Sequence, residues 1–395
     1  MKNNFYIHQP TILSQTSIVT LKSAITLLQN YIELLGFKAQ IHFELEGCYR
    51  VKASKSSSSK INYDLINQYL RSVNIDGVLV SEYWRNQWEY VSLFNGQSPL
   101  KEAQNLQQVI TQLPFLFEKF YGELGVIETL IQPVVWSGDN GKLATGSNQI
   151  FTHDTRSVHI PNAIQLNVSV LNKDKKNIIA EAKFGEYLQQ CFLQTSFECC
   201  LLFLPEEAAF ERLKLKSQYG LSQELCSPAD ISGGHQGSIA LYRMLGKHNQ
   251  KMGEEPLLYD VNNKVLTVQT DWKKTARIEH RLGASSVAYN AYANVIYALL
   301  NIIDAIDIYE KKPNIEVVKF TPIALPESLF TNSDNLSSCG AIDIFKNSSW
   351  FSERLNTAQC NYNKMMSDTA LSCQVPLGDN LKQMILNQYQ VKFSK

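Results

Sequence analysis

Glu44 and Glu46 stand two residues apart in KAQIHFELEGCYRVKA, residues 38–53. On a strand, side chains two apart point to the same face. Two carboxylates that close repel and raise each other's pKa unless a cation lies between them. A hard divalent ion wants several carboxylate oxygens, which such a pair supplies. ARIEHR, residues 276–281, repeats the spacing with Arg277, Glu279 and Arg281. There an acid that could hold a metal is flanked by cations that could hold anions. SEYWRNQWEY, residues 81–90, adds Glu82 and Glu89 around Gln87. One such pair is common on solvated strands. Acids on three strand-like segments far apart in the chain form a constellation once the strands share a sheet.

The elements that must position these residues are legible in outline. Thr16 to Leu35 has helical spacing, with Thr16 or Ser17 as cap and Gly36 as stop. Residues 38–53 alternate as a strand. SKSSSSK at 54–60 is a flexible connector. Ile61 to Ser72 is helical, and DGVLVSEYWRNQWEYVSLF holds two strands or one bent strand. Pro99 to Tyr121 is helical, with Pro114 predicted to break or kink it. IQLNVSVLN is a strand ending in the turn KDKK, and Asn177 to Leu204 is predicted as a helix. SIALYRML and KVLTVQT are strands. A long apolar stretch after Asn290 and Tyr292 reads as a buried helix, and a last helix follows VPLGDN. Helices and mostly antiparallel strands in irregular order predict an α+β fold.

Bulk composition sets limits. The chain has 395 residues, 44 % hydrophobic and 19 % charged, enough for a substantial core. Formal net charge is zero, so no nucleic-acid or other polyanion partner is implied. The N-terminus has no apolar signal-peptide core. The longest apolar run, Val295 to Ile308, is cut by Asn301, Asp304 and Asp307, so no membrane span is expected. Eight scattered cysteines without a CxxC pattern fit reduced thiols and a cytoplasmic location.

The order of the motifs resembles the catalytic domain of the glutamine synthetase superfamily. That family has a helix followed by an ExE strand, here LLQNYIELLGFKAQIHFELE. It has an acid followed by QxE, here EYWRNQWE with one residue less between them. Its GxHxHxSL strand is matched by NAIQLNVSVL, its NSYkRL segment by AAFERLKL, and its NRSAAIR segment by GSIALYR. Its RRIEFR strand and Asn-Pro-Tyr helix are matched by ARIEHRLGASSVAYNAYANVIYALL, the most specific of the set. Its LGeel helix start is matched by PLGDN. The resemblance implies a curved, mainly antiparallel sheet flanked by helices. It places the catalytic domain at 16–395, after a short N-terminal segment, 1–15. Family members carry a β-grasp domain ahead of the first catalytic helix, and here that stretch is only about fifteen residues long. A smaller oligomer than the family's rings, a monomer or dimer, or else a ring formed by the catalytic domain alone is therefore expected.

The resemblance also assigns roles. Glu46, Glu82 and Glu89 would hold a metal near the amino-acid substrate. Glu44 and Glu279 would hold a second, nucleotide-side metal, with Gln165 where the family has a histidine. An amide oxygen is a weak Mg²⁺ ligand, so that second site should be weak. Asn167, Ser169, Ser238, Arg243 and Arg277 would line the nucleotide phosphates. Asn167 stands in place of a histidine, and Ser238 in place of an arginine. Arg243, Arg277 and Glu279 would act in catalysis. Arg212 and Arg281 would grip substrate carboxylate. Gln218 falls where the family has the glutamate that takes the ammonium proton. His159 and His235 match no family position. The activity implied is ATP- and Mg²⁺- or Mn²⁺-dependent amide formation through an acyl phosphate. The substrates would be an amino-acid-like carboxylate and an amine other than free ammonia. The alternative is a catalytically silent relative that binds nucleotide or a partner and regulates.

Overall fold

The structure is a computed structural model. It describes residues 14–52, 61–82, 84, 86–93, 95–140, 157–180, 183–218, 238–242, 276–311, 316–317, 323–331, 339–366 and 376–389. KVLTVQT lies outside them.

The centre is one antiparallel sheet. Its strands are β1 (Lys38–Val51), β2 (Gly77–Ser81), β3 (Gln87–Ser92), β4 (Val126–Leu130), β7 (Ile164–Leu171), β8 (Ile239–Tyr242) and β9 (Arg277–His280). They lie in the order β2-β3-β1-β7-β9-β8, with β4 also pairing β1. β1 is the hub. Lys38 to Leu45 pair β7, Glu44 to Cys48 pair β3, and Cys48 to Val51 pair β4. A separate ribbon joins β5 (Val134–Asn140) to β6 (Ser157–Pro161).

Period-2 alternation separates the two faces of the sheet. Ile41, Phe43, Leu45, Leu166, Val168, Ile278, Leu241, Trp88 and Tyr90 make the apolar face, and all are buried. Helices cover that face. α1 (Gln15–Leu34), α3 (Pro99–Tyr121) and α7 (Ala291–Lys311) pack on β1, while α4 (Phe184–Ser196) packs on β8 and β9. Ser14, rather than Thr16 or Ser17, caps α1, accepting from the Ser17 N–H at 3.2 Å, and the two expected caps lie inside its first turn. Leu21, Ala24, Ile25, Leu28 and Ile32 then recur at three- and four-residue steps to form its buried stripe. Gly36, at φ +90°, ends the turn in a conformation that suits glycine.

α7 is buried nearly all round, which explains its lack of a polar stripe. It is long and apolar enough to cross a membrane by length and composition, and it lies in the core. It also runs past Asp304 and Asp307, which were expected to interrupt the apolar run. Arg354 on α9 (Trp350–Met365) pairs with both acids, so their charge is met inside the fold.

Two further helix expectations differ from the structure. Pro114 does not break α3, which continues to Tyr121. Leu113, Leu116 and Phe117 around it are buried and hold the helix through the missing N–H. The helix expected over 177–204 is divided instead. A 3-10 turn at Ile178–Ala180 precedes α4, and α5 is only Cys200–Phe203. Lys183 enters α4 at φ +73°, which no helical residue adopts.

Candidate active site

Register carries the polar residues to one face. Residues directly opposite in an antiparallel pair point the same way. Glu44 faces Gln165, Glu46 faces Glu89, and Asn167 faces both His42 and Glu279. Tyr242 faces Arg277. The face opposite the core thus brings together Glu44, Glu46, Glu89, Gln165, Asn167, Arg277 and Glu279, drawn from four strands.

The side chains of Glu44, Asn167, Arg277 and Glu279, with Arg281, form a continuous network. Arg277 pairs with Glu279 Oε2 at 2.9 Å, and Arg281 Nε approaches Glu279 Oε1 at 3.3 Å. Arg277 Nε donates to Asn167 Oδ1 at 2.7 Å. Asn167 Nδ2 donates to Glu44 Oε1 at 3.1 Å. The Arg277 guanidinium also lies 4.6 Å from the Tyr242 ring centroid, a cation–π distance. Burial, the largest single influence, lowers the pKa of Arg277 and Arg281, but Glu279, Glu44 and Tyr242 together, with Glu46 for Arg281, outweigh it and raise both.

Glu46 is a buried acid of this face with a strongly raised pKa. Burial, then the neighbouring Glu82, push its carboxyl up to about 7. Arg212, the Ala163 N–H and Arg281 pull the other way without prevailing. Its Oε2 accepts the Ala163 N–H at 2.7 Å, and its backbone carbonyl accepts from Ser285 Oγ at 2.6 Å. Gln87 braces the neighbouring turn, accepting from the Trp84 N–H at 3.1 Å and donating to Asn162 Oδ1 at 3.0 Å. Glu82 closes the same turn, its N–H donating to the Gln87 carbonyl at 3.1 Å.

The remaining expected residues divide. Arg212, on α6 (Glu207–Gln218), is buried and donates to the backbone carbonyls of Leu282 and Arg281, each at 3.2 Å. Burial lowers its pKa to about 10. It braces the chain that presents Arg281. Ser169 Oγ donates to the Ala276 carbonyl at 2.9 Å, tying β7 to the start of β9. Ser238 is buried, and its carbonyl accepts the Arg281 N–H at 2.8 Å. Gln218 ends α6, and only its backbone is described. The same holds for His159 on β6, while Arg243 and His235 lie outside the described residues.

Sequence reading missed His42. It sits at the same spacing ahead of Glu44, so IHFELE carries His42, Glu44 and Glu46 on one face. It is buried, and burial and then Arg277 hold its pKa down to about 4, which keeps it neutral. The HxExE spacing was the available signal.

The donors suit hard cations unevenly. Glu46 and Glu89 stand opposite each other on paired strands, and the charge of Glu82 reaches Glu46, whose pKa is raised first by burial and then by that charge. Their chemistry fits a divalent ion. Among the described residues no three His, Cys, Asp or Glu side chains yet converge as a cation's ligands would. The Glu44–Gln165–Glu279 set offers only two carboxylates, and both already take donors from the chain.

No protein-family model and no curated protein matches the sequence. Solved structures similar to this chain are glutamine synthetase homologues. One is described as a novel glutamine synthase homolog, at 14 % identity and TM-score 0.49, covering 92 % of this chain and 74 % of that one. A GmaS/ADP complex is similar at 12 % identity and TM-score 0.49, over 90 % of this chain and 75 % of that one. The Plasmodium falciparum glutamine synthetase is similar at 14 % identity and TM-score 0.46, over 94 % of this chain and 78 % of that one. These are likenesses of overall form between distant sequences, and the chemistry of this chain rests on its own residues.

Proposed function

We propose that this protein is an ATP-dependent carboxylate–amine ligase that forms an amide bond through an acyl phosphate. The observation that carries the reading is the convergence of Glu44, Glu46, Glu89 and Glu279 with Arg277 and Arg281 on one sheet face. Phosphoryl transfer from ATP to a carboxylate needs negative charge received and neutralised at both oxygens in line. Arg277 is held between Glu279, Asn167 and Tyr242, so its cation is oriented before substrate arrives. Arg281 presents a second cation, fixed through its backbone by Ser238 and Arg212. An acid bearing an α-carboxylate is the preferred first substrate. With Gln218 where an acid would take a proton from ammonium, an amine other than free ammonia is the preferred nucleophile.

Glu46, Glu82 and Glu89 would hold one Mg²⁺ or Mn²⁺, which when bound supplies Lewis-acid neutralisation of substrate oxygens. Under this reading residues 16–395 form one catalytic domain that works in the cytoplasm, as a monomer or a small homo-oligomer.

One observation favours a second reading, a silent relative that binds nucleotide or a partner. Arg212 spends its guanidinium on the backbone carbonyls of Arg281 and Leu282. A panel of carboxylic acids and amines with ATP, Mg²⁺ and Mn²⁺ separates the two. The ligase reading expects ADP release that needs both an acid and an amine, a joined product by mass spectrometry, and loss of turnover in Glu279→Ala. No ADP above the blank from any combination, with nucleotide still raising the melting temperature, leaves the silent reading.

A further inference from the structure

Glu44 on β1 and Glu279 on β9 are separated by β7, and Gln165 of β7 lies between them. With its nitrogen toward the acids, the Gln165 amide donates to Glu279 Oε1 at 2.7 Å and to Glu44 Oε2 at 3.3 Å. The reverse orientation would set the amide oxygen against two carboxylate oxygens, acceptor on acceptor. It would leave only a 3.4 Å contact from the nitrogen to Glu46 Oε1.

The other oxygens of the two acids are also taken. Glu44 Oε1 accepts from Asn167 at 3.1 Å, and Glu279 Oε2 accepts from Arg277 at 2.9 Å. Arg281 Nε stands 3.3 Å from Glu279 Oε1. Two carboxylates thus meet two guanidinium groups and two amides, and the charges of these four ionised groups cancel. A divalent ion would have to displace the amide and share Glu279 with two cations. Its attraction to the site is removed by the cations already there.

We infer that Gln165 is a built-in substitute for a cation. Its amide nitrogen fills the position between Glu44 and Glu279, which therefore takes no divalent ion, and of the two acid sets on this sheet face only Glu46, Glu82 and Glu89 is left to bind one. The inference rests on the ligase reading for the Glu46 side alone. The Gln165 side stands on the hydrogen bonds.

Mn²⁺ titration of the full chain, followed by the electron paramagnetic resonance signal of the free ion, tests it without turnover. The unchanged chain should bind one ion, and Glu46→Gln should weaken that binding by about tenfold or more. Gln165→Glu should add a second ion per chain, and Gln165→His serves if the first variant does not fold. The inference is overturned if the unchanged chain binds an ion that is lost in Glu279→Gln and kept in Glu46→Gln. It is also overturned if a folded Gln165→Glu or Gln165→His chain gains no ion. A chain that binds no ion until Gln165 is replaced upholds the Gln165 side of the inference, overturns the Glu46 side and removes the metal from the ligase reading.

Discussion

Asn167 Oδ1 accepts the Nε–H of Arg277 at 2.7 Å, while the same amide donates to Glu44 at 3.1 Å. One neutral side chain therefore fixes a cation and an acid that belong to strands on either side of it. Asn167→Leu should cost about 2 kcal/mol, because it leaves both partners short of a hydrogen bond in a buried place. Urea unfolding measures the loss. If Arg277 faces nucleotide, ATP affinity should fall with it, read by the thermal shift with ATP.

The contributions of Glu46 and Glu102 to stability should fall as pH rises from about 4.5 to about 7, opposed by His42, whose lowered pKa of about 4 makes its own contribution rise with pH. Burial raises Glu46 and Glu102 from 4.5 to about 7. The folded state then keeps protons that the unfolded chain releases within that window. The contribution of the two acids is greatest below the unfolded value and declines toward the folded one. Glu102 is fully buried, with its Oε2 accepting from Ser92 Oγ at 2.6 Å. Glu102→Gln keeps that acceptor and never ionises. It should leave stability near pH 4 unchanged and raise it at pH 8 by on the order of 2 kcal/mol. Urea midpoints across pH would show a flatter slope, and an unaltered slope would refute the assignment.

Gly47 lies on the apolar side of β1, paired to Trp88. A Cβ there would stand 2.3 Å from Trp88 Cζ2, and a buried indole ring has nowhere to go. Gly47→Ala should cost about 2–3 kcal/mol. It should also weaken Mn²⁺ binding, since Glu46 and Glu89 flank the displaced pair. Calorimetric titration reads the second effect.

Pro114 lacks the N–H that would donate to the Ile110 carbonyl within α3. Pro114→Ala supplies it, at the expense of a less restricted unfolded chain. The balance should favour the variant by about 1–2 kcal/mol in urea unfolding. A loss of stability would mean that the helix is shaped around the proline.

The sequence speaks most clearly where a short period meets a buried face. IHFELEGCYRV alternates, and β1 follows it from Lys38 to Val51. Glu46 and Glu89 could be placed on strands, but their pairing is a register that only the folded sheet fixes. β4, β5 and β6 went unread, and α4 with α5 read as one helix, because tertiary packing decided them. Gln165 showed as a departure from a metal ligand. That its nitrogen could bridge Glu44 and Glu279 depends on two strand pairings that no local pattern encodes.

Glu46 is held by Ala163, 117 positions further on, and by Ser285, 239 positions further on. A ribosome adding about 5–20 residues per second makes β1 roughly tens of seconds before it makes the last of these partners. Glu46 gains its backbone donor only when Ala163 is made, and Arg277 and Arg281 follow just before Ser285. Until then an apolar strand edge waits beside Glu46, open to pairing with another nascent chain. Completion of the polar face around Glu46 therefore waits for the later part of the chain. The protein's yield in a cell should depend on what shields the first hundred residues while the remainder is synthesised.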